Sequence, residues 1–99
     1  MTVLQDVKKE FADRTLDRHG IRLLRAPDAA EYVSRCAEHG IDILGIDGFL
    51  VNDDKLQPMM EHSLDLTILG PPGGADRKAM SFLQRYLDSE LWFEVVVEE

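Results

Sequence analysis

Apolar residues return at helical spacing in three stretches of the chain and at strand spacing in the stretches between them. Leu4, Val7, Phe11 and Ala12 fall on one helical stripe, and Thr2 followed by Gln5 has the form of a capping box. The pattern predicts a first helix from residue 3 to near His19. Ile21 to Arg25 is a short apolar-rich run closed by Ala26-Pro27, which predicts a strand and then a turn. A second box, Asp28 with Glu31, precedes Ala29, Tyr32, Val33, Cys36 and Ala37, the spacing of an amphipathic helix that ends at His39-Gly40.

The run ILGIDGFLV, residues 43–51, predicts a strand, and its internal Gly45 and Gly48 predict a bulge or a close backbone approach. Asn52-Asp53-Asp54 lies between Phe49-Leu50-Val51 and Lys55-Leu56-Gln57, so a hairpin with an exposed acidic tip is expected. Pro58 cannot donate to a ladder and marks a strand edge, a bulge or an interruption. Beyond it, Leu64, Leu66 and Ile68 alternate with Glu61, Ser63, Asp65 and Thr67, the pattern of a half-buried strand. A Gly70-Pro71-Pro72-Gly73-Gly74 loop leads to a third stripe of Ala79, Met80, Leu83, Tyr86 and Leu87, and a final strand is expected over Leu91 to Val97.

The order is helix, strand, helix, strand, strand, helix, strand. It places the chain in the α+β class as a two-layer α/β sandwich, a ferredoxin-like βαββαβ unit with an extra N-terminal helix, in a single domain over residues 1–99. Another strand order in the same two layers is the alternative. The tripeptide His-Gly-Ile closes both of the first two expected helices, at 19–21 and 39–41. In each, an imidazole in the last turn meets the negative end of the helix dipole and the glycine releases the chain, so both histidines are expected to be structural.

Composition changes this picture in one respect. With 44% hydrophobic and 30% charged residues the chain has the make-up of a folded globule, but 11 Lys and Arg against 19 Asp and Glu leave a formal charge of -8. Such a field repels nucleic acid and anionic membranes and favours a basic protein partner. The imbalance is concentrated after residue 50, where four basic residues face ten acidic ones. Cys36 is the only cysteine, which excludes an internal disulfide and a cysteine-based metal centre. Residues 1–16 lack the apolar core of a signal peptide and no later run reaches the length of a membrane span, so a cytoplasmic location is expected.

Candidate chemistry lies on the sheet face that helices leave open. If Leu64, Leu66 and Ile68 face the helices, then Glu61, Ser63, Asp65 and Thr67 face outward; likewise Leu91, Phe93, Val95 and Val97 face in, and Trp92, Glu94, Val96 and Glu98 out. An aromatic anchor among carboxylates suits a basic protein surface, and the expected partner-binding residues are Asp53, Asp54, Glu61, Ser63, Asp65, Trp92 and Glu94. A first helix laid across this face would cover Trp92 instead. No catalytic residue, metal ligand or cofactor site is expected. Within Glu61-His62-Ser63-Leu64-Asp65 a strand points His62 away from the other polar groups, which favours a buried, hydrogen-bonded histidine. GPPGGADRKA lacks the Gly-Lys-Ser/Thr ending of a phosphate loop, and Cys36 lies on an apolar helical face.

Residues 43–67, ILGIDGFLV continuing through LQPMMEHSLDLT, resemble a strand-hairpin-strand signature of small bacterial proteins of the toxin-immunity type. The resemblance carries no site residues. Together with the charge it implies a non-enzymatic acidic inhibitor or immunity-type protein that occludes a basic partner, for instance a toxin. The second expectation is a regulatory or assembly module that homodimerises through its sheet, with Trp92 and Val96 in the interface.

Overall fold

A computed structural model describes residues 2–53, 55–66 and 74–98. Thr2 caps helix α1 (Val3–Glu10) as its spacing with Gln5 requires, its hydroxyl oxygen accepting from the Gln5 amide at 3.1 Å. The helix does not continue to His19. Phe11 closes it, a 3-10 turn covers Ala12–Arg14, and the chain then extends as β1 (Leu16–Arg18). The switch is local: the Thr15 hydroxyl donates to the Phe11 carbonyl at 2.7 Å, and Leu16 gains Leu23 as cross-strand partner in β2 (Ile21–Arg25). His19 and Gly20 are the two turn residues between paired Arg18 and Ile21, with φ of 54° and 80°. Two consecutive positive φ values are the signature of a type I′ hairpin turn. The first His-Gly is therefore a strand-to-strand device, not a helix end.

The second His-Gly is a helix end. Helix α2 (Ala26–Glu38) is capped by His39, with Gly40 at φ 70°. Ile41 N–H donates to the Cys36 carbonyl and Gly40 N–H to the Ala37 carbonyl, which is the Schellman pattern. The start of α2 is earlier than the Asp28-Glu31 box suggests: Arg25 takes the cap position and Pro27 lies in the first turn, where its missing N–H costs nothing. Asp28 and Glu31 instead hold Arg14, at 3.1 and 2.8 Å. Arg35 pairs with Glu10 at 2.9 Å and with Glu38, so α2 is clamped to α1 and to the 3-10 turn by two arginines.

The remaining elements are β3 (Asp42–Asn52), β4 (Lys55–Asp65), α3 (Ala75–Gln84) and β5 (Trp92–Glu98). The expected hairpin joins β3 to β4, with Asn52 opposite Lys55 and an exposed Asp53 at φ 51°; Asp54, Thr67, Ile68 and residues 70–73 of the glycine-proline loop lie outside the described residues. Tyr86 and Leu87 fall beyond the end of α3. Phe82, not Leu87, joins the buried stripe, and Leu87 is exposed.

All five strands form one antiparallel sheet in the order β1-β2-β5-β3-β4. The α+β class and the two layers hold, but the ferredoxin-like strand order does not. That arrangement centres the first and third strands of βαββαβ; here the second and fourth, β3 and β5, are central. Burial accounts for the difference. In β3 the residues Ile43, Gly45, Ile46, Gly48 and Phe49 are all buried, a two-sided pattern that needs a neighbour on each edge, whereas β4 carries Pro58 and exposed Lys55, Gln57 and Met60 and suits the rim.

The three helices pack on one side. Val7 and Phe11 of the α1 region, Ala29, Val33 and Cys36 of α2, and Ala79 and Leu83 of α3 share a buried cluster with Leu24, Ile43, Ile46 and Phe93 of the sheet. Val95, Val97 and Leu64 pack against it, as the alternation predicts. Because α1 joins this layer, no helix among the described residues covers the opposite face of the sheet and Trp92.

A candidate acidic face on the open side of the sheet

Cross-strand partners in an antiparallel ladder share a face, so the strand register assigns the open side residue by residue. Trp92 of β5 is opposite Arg25 of β2 and Phe49 of β3, and Phe49 is opposite Pro58 of β4. One step along, Asp47 is opposite Glu94; a further step brings Gly45 opposite both Val96 and Asp65. The face is thus a row of Arg25, Trp92, Phe49 and Pro58 beside a pair of carboxylates, with Val96 and Asp65 on the far side. Phe49 is 7% exposed although it lies on the face that the described helices leave open. Arg25 lies over the Trp92 ring at 5.4 Å and donates to the Ser89 carbonyl at 2.8 Å, which holds the aromatic end of the face in place.

The carboxylate pair is electrostatically unfavourable. Like charges directly opposite one another destabilise a ladder by several tenths of a kcal/mol, up to about 1 kcal/mol. Asp47 and Glu94 are both half-buried, which reduces screening by water. Burial first, and then the charge of Asp47, push the Glu94 carboxyl above its ordinary value of 4.5. A cation arriving at this point would relieve both effects. Among the described residues no three His, Cys, Asp or Glu side chains come close enough to share a metal ion.

Of the expected binding residues, Asp65, Trp92 and Glu94 come together on this face. Glu61 and Ser63 do not join them. Between the pairs Gly48–Met59 and Ile46–Leu64, β3 has only Asp47 whereas β4 has Met60, Glu61, His62 and Ser63, so the edge strand bows out in an arch and the regular alternation over 61–65 is broken. Ser63 closes the arch by donating to the Met59 carbonyl at 3.3 Å, and Glu61 stands exposed, 4.0 Å from the His62 ring. His62 is hydrogen-bonded as expected but half-buried rather than buried, with Nδ1 2.9 Å from the Tyr86 hydroxyl and the two rings edge to face. Gly48 makes the arch possible: a Cβ there would lie 2.6 Å from the His62 carbonyl oxygen. Asp53 is exposed at the hairpin tip, beyond Val51 and Leu56, and Asp54 is outside the described residues.

Three residues of the face are absent from the sequence-based set: Asp47, Phe49 and Arg25. The signal for Asp47 was present in period-two counting, which sets it against Ile46, but the two glycines make the facing of β3 unreadable without the ladder. The register of β3 does shift, between Ile43 and Gly45 against β5 and between Ile46 and Gly48 against β4. Cys36 is fully buried and its thiol is pushed up by that burial, consistent with a core residue. No helix among the described residues is long and apolar enough to cross a membrane. Comparison of the chain with protein-family models, with curated proteins and with solved structures gave no match.

Proposed function

We propose that the chain is an acidic, non-enzymatic binding protein whose open sheet face receives a basic surface of a partner protein, in the manner of an inhibitor or immunity-type protein. The Asp47–Glu94 pair carries this reading. Two half-buried carboxylates placed side by side between Trp92, Phe49 and Val96 oppose folding, and a lysine or arginine inserted between them would turn that repulsion into two charge-assisted contacts in an apolar frame. Asp65 adds a third acid on the same face, and the net charge of -8 speeds the approach of a basic partner. The likeness of residues 43–67 to toxin-immunity proteins, which carries no site residues, points the same way.

The test is a titration against the partner captured from the native host and identified. Asp47→Asn with Glu94→Gln should weaken association at least tenfold, and Asp53→Lys at the hairpin tip should act mainly on the association rate and its salt dependence. Full affinity in the Asp47→Asn/Glu94→Gln protein would overturn the reading.

Homodimerisation through the sheet is the second reading, favoured by the apolar row of Trp92, Phe49 and Pro58. It is disfavoured in two ways. A twofold contact over this face brings each acidic pair toward its copy, and the β4 edge is interrupted by Pro58 and by the arch. A sedimentation profile that shifts with protein concentration would support the dimer.

A further inference from the structure

Strands β2 and β5 pair only at Leu24–Phe93 and Arg25–Trp92, although β2 begins at Ile21 and β5 runs on to Glu98. A continued ladder would set Leu23 against Glu94 and Arg22 against Val95. Instead a cleft of about 210 Å³ lies between the strands, bordered by Gly20, Arg22 and Leu24 on one side and by Glu94, Val95 and Val97 on the other. Glu94 belongs to the open face of the sheet, whereas Val95 and Val97 pack toward the helices. The cleft therefore passes through the sheet and ends the ladder on one edge of β5. On its other edge β5 pairs with β3 from Trp92 through Glu98. Among the described residues, the main-chain groups of 94–98 that point away from β3 have no ladder partner.

An unpaired edge is a template for another strand, because its N–H and C=O groups are satisfied only by water or by an added chain. The side chains along this edge decide what kind of chain it fits. On the open face Glu94 is opposite Asp47 and Glu98 is opposite Asp42, two carboxylate pairs with Val96 between them. Glu94 and Glu98 are about 13 Å apart along the strand, at about 3.3 Å per residue. On the helix side the cleft is lined by Phe11, Tyr32, Val95 and Val97, and neither Lys8 nor Arg22 beside them offers a base a partner. An added strand points successive side chains to opposite faces. Bases four residues apart on one face would meet the two acidic pairs, and the alternate residues would enter the apolar cleft.

We propose that the free edge of β5, residues 94–98, receives an extended segment of the basic partner as an added strand. Lysine or arginine at positions four apart lies over Glu94–Asp47 and Glu98–Asp42, and apolar residues between them face Val95, Val97, Phe11 and Tyr32. A volume of about 210 Å³ is that of roughly seven waters at about 30 Å³ each, space for one or two aliphatic side chains of such a strand. The proposal rests on the partner-binding reading and adds the form of the contact: main-chain hydrogen bonds attach the segment, and the acids select its sequence.

The probe is an acetylated and amidated heptapeptide, Thr-Lys-Val-Thr-Val-Lys-Val, followed by amide NMR shifts and hydrogen exchange of the whole chain. Saturable shifts centred on residues 94–98 are expected, with alternate amides of that run at least tenfold better protected in the complex. Two N-methylated forms of the peptide keep its side chains and charge but lack N–H donors at alternate positions, one form in each phase. One phase should weaken binding at least tenfold, and the other should bind as the parent peptide does. Equal affinity of both forms and the parent would overturn strand addition while leaving the acidic face as a contact of charge alone. Threonine in place of both lysines should weaken binding at least tenfold, and equal binding would overturn the choice of a basic occupant. No saturable shift with the lysine peptide would overturn the proposal. So would protection of 94–98 that grows with protein concentration when no peptide is present, the mark of a second copy on the same edge. None of these results depends on the captured partner, whose affinity for the Asp47→Asn/Glu94→Gln protein tests the acidic face separately.

Discussion

At the scale of single residues, the geometry around Asp47 and Gly48 sets two opposite expectations. Glu94 has its carboxyl raised above 4.5 by burial and by Asp47. A raised acid binds its proton more readily in the folded state, so its favourable contribution is full below the unfolded value near 4.5 and is lost as the pH rises through the higher folded value. Glu94→Gln should therefore raise stability at neutral pH, by a few tenths to about 1 kcal/mol, and leave it unchanged in acid below that window. Urea unfolding of parent and variant at both pH values checks this, and Asp47→Asn should move the Glu94 midpoint downward in an NMR titration. Gly48→Ala acts in the other direction. Its Cβ would meet the His62 carbonyl oxygen at 2.6 Å, a backbone atom held by the arch, and a loss of about 1–3 kcal/mol is expected in the same unfolding assay.

At the scale of elements, what the sequence could and could not disclose follows from the range of the forces involved. The two His-Gly-Ile sites carry the same three residues, yet one is a I′ hairpin turn and the other a Schellman helix end. Both conformations ask for positive φ at glycine, so local propensity cannot separate them; the decision lies in whether Leu16 finds a buried cross-strand partner, which it does in Leu23. The β3-β4 hairpin, the edge position of Pro58, α2 and the inward face of β5 were legible because period and turn chemistry act over a few residues. The arch was not, since Met60 to Ser63 obey the same alternation on paper as they would in a flat strand. Helix α1 is a case of dependence on distant partners: Arg35 of α2 holds Glu10 and, through that hydrogen bond, lowers its carboxyl below 4.5. A lowered acid stabilises above its unfolded value and ceases to do so as the pH falls through the folded one. Hydrogen-exchange protection over residues 3–10, taken relative to the intrinsic rate at each pH, should accordingly fall in acid, and Arg35→Gln should lower the same protection at neutral pH without affecting β3.

For the whole molecule, the distribution of charge matters more than its sum. The formal charge of -8 works against the folded chain through self-repulsion, and moderate sodium chloride should raise the thermal midpoint by screening it. A fall of the midpoint with salt would show that the arginine clamps on α2 outweigh that repulsion. The layer arrangement then sorts the remaining charges. Asp47, Glu94 and Asp65 share one face of the sheet, while Lys8 and Arg22 line the cleft where β2 leaves β5, which Glu94 also borders. Sequence gave access to the first grouping through the alternation of β5. The second depends on two strands parting after two pairs, and nothing in the run of residues 21–25 or 92–98 announces where pairing stops.

The slack in the fourth strand has a consequence for how the chain tolerates change in length. Leu64 and Asp65 are oriented by their own partners, Ile46 and Gly45, and not by counting forward from Met59. A residue gained or lost between 60 and 63 would alter only the span of the loop, leaving the acid at 65 displayed and the leucine beside it inside. In an unbroken strand the same single-residue change would turn every later side chain over.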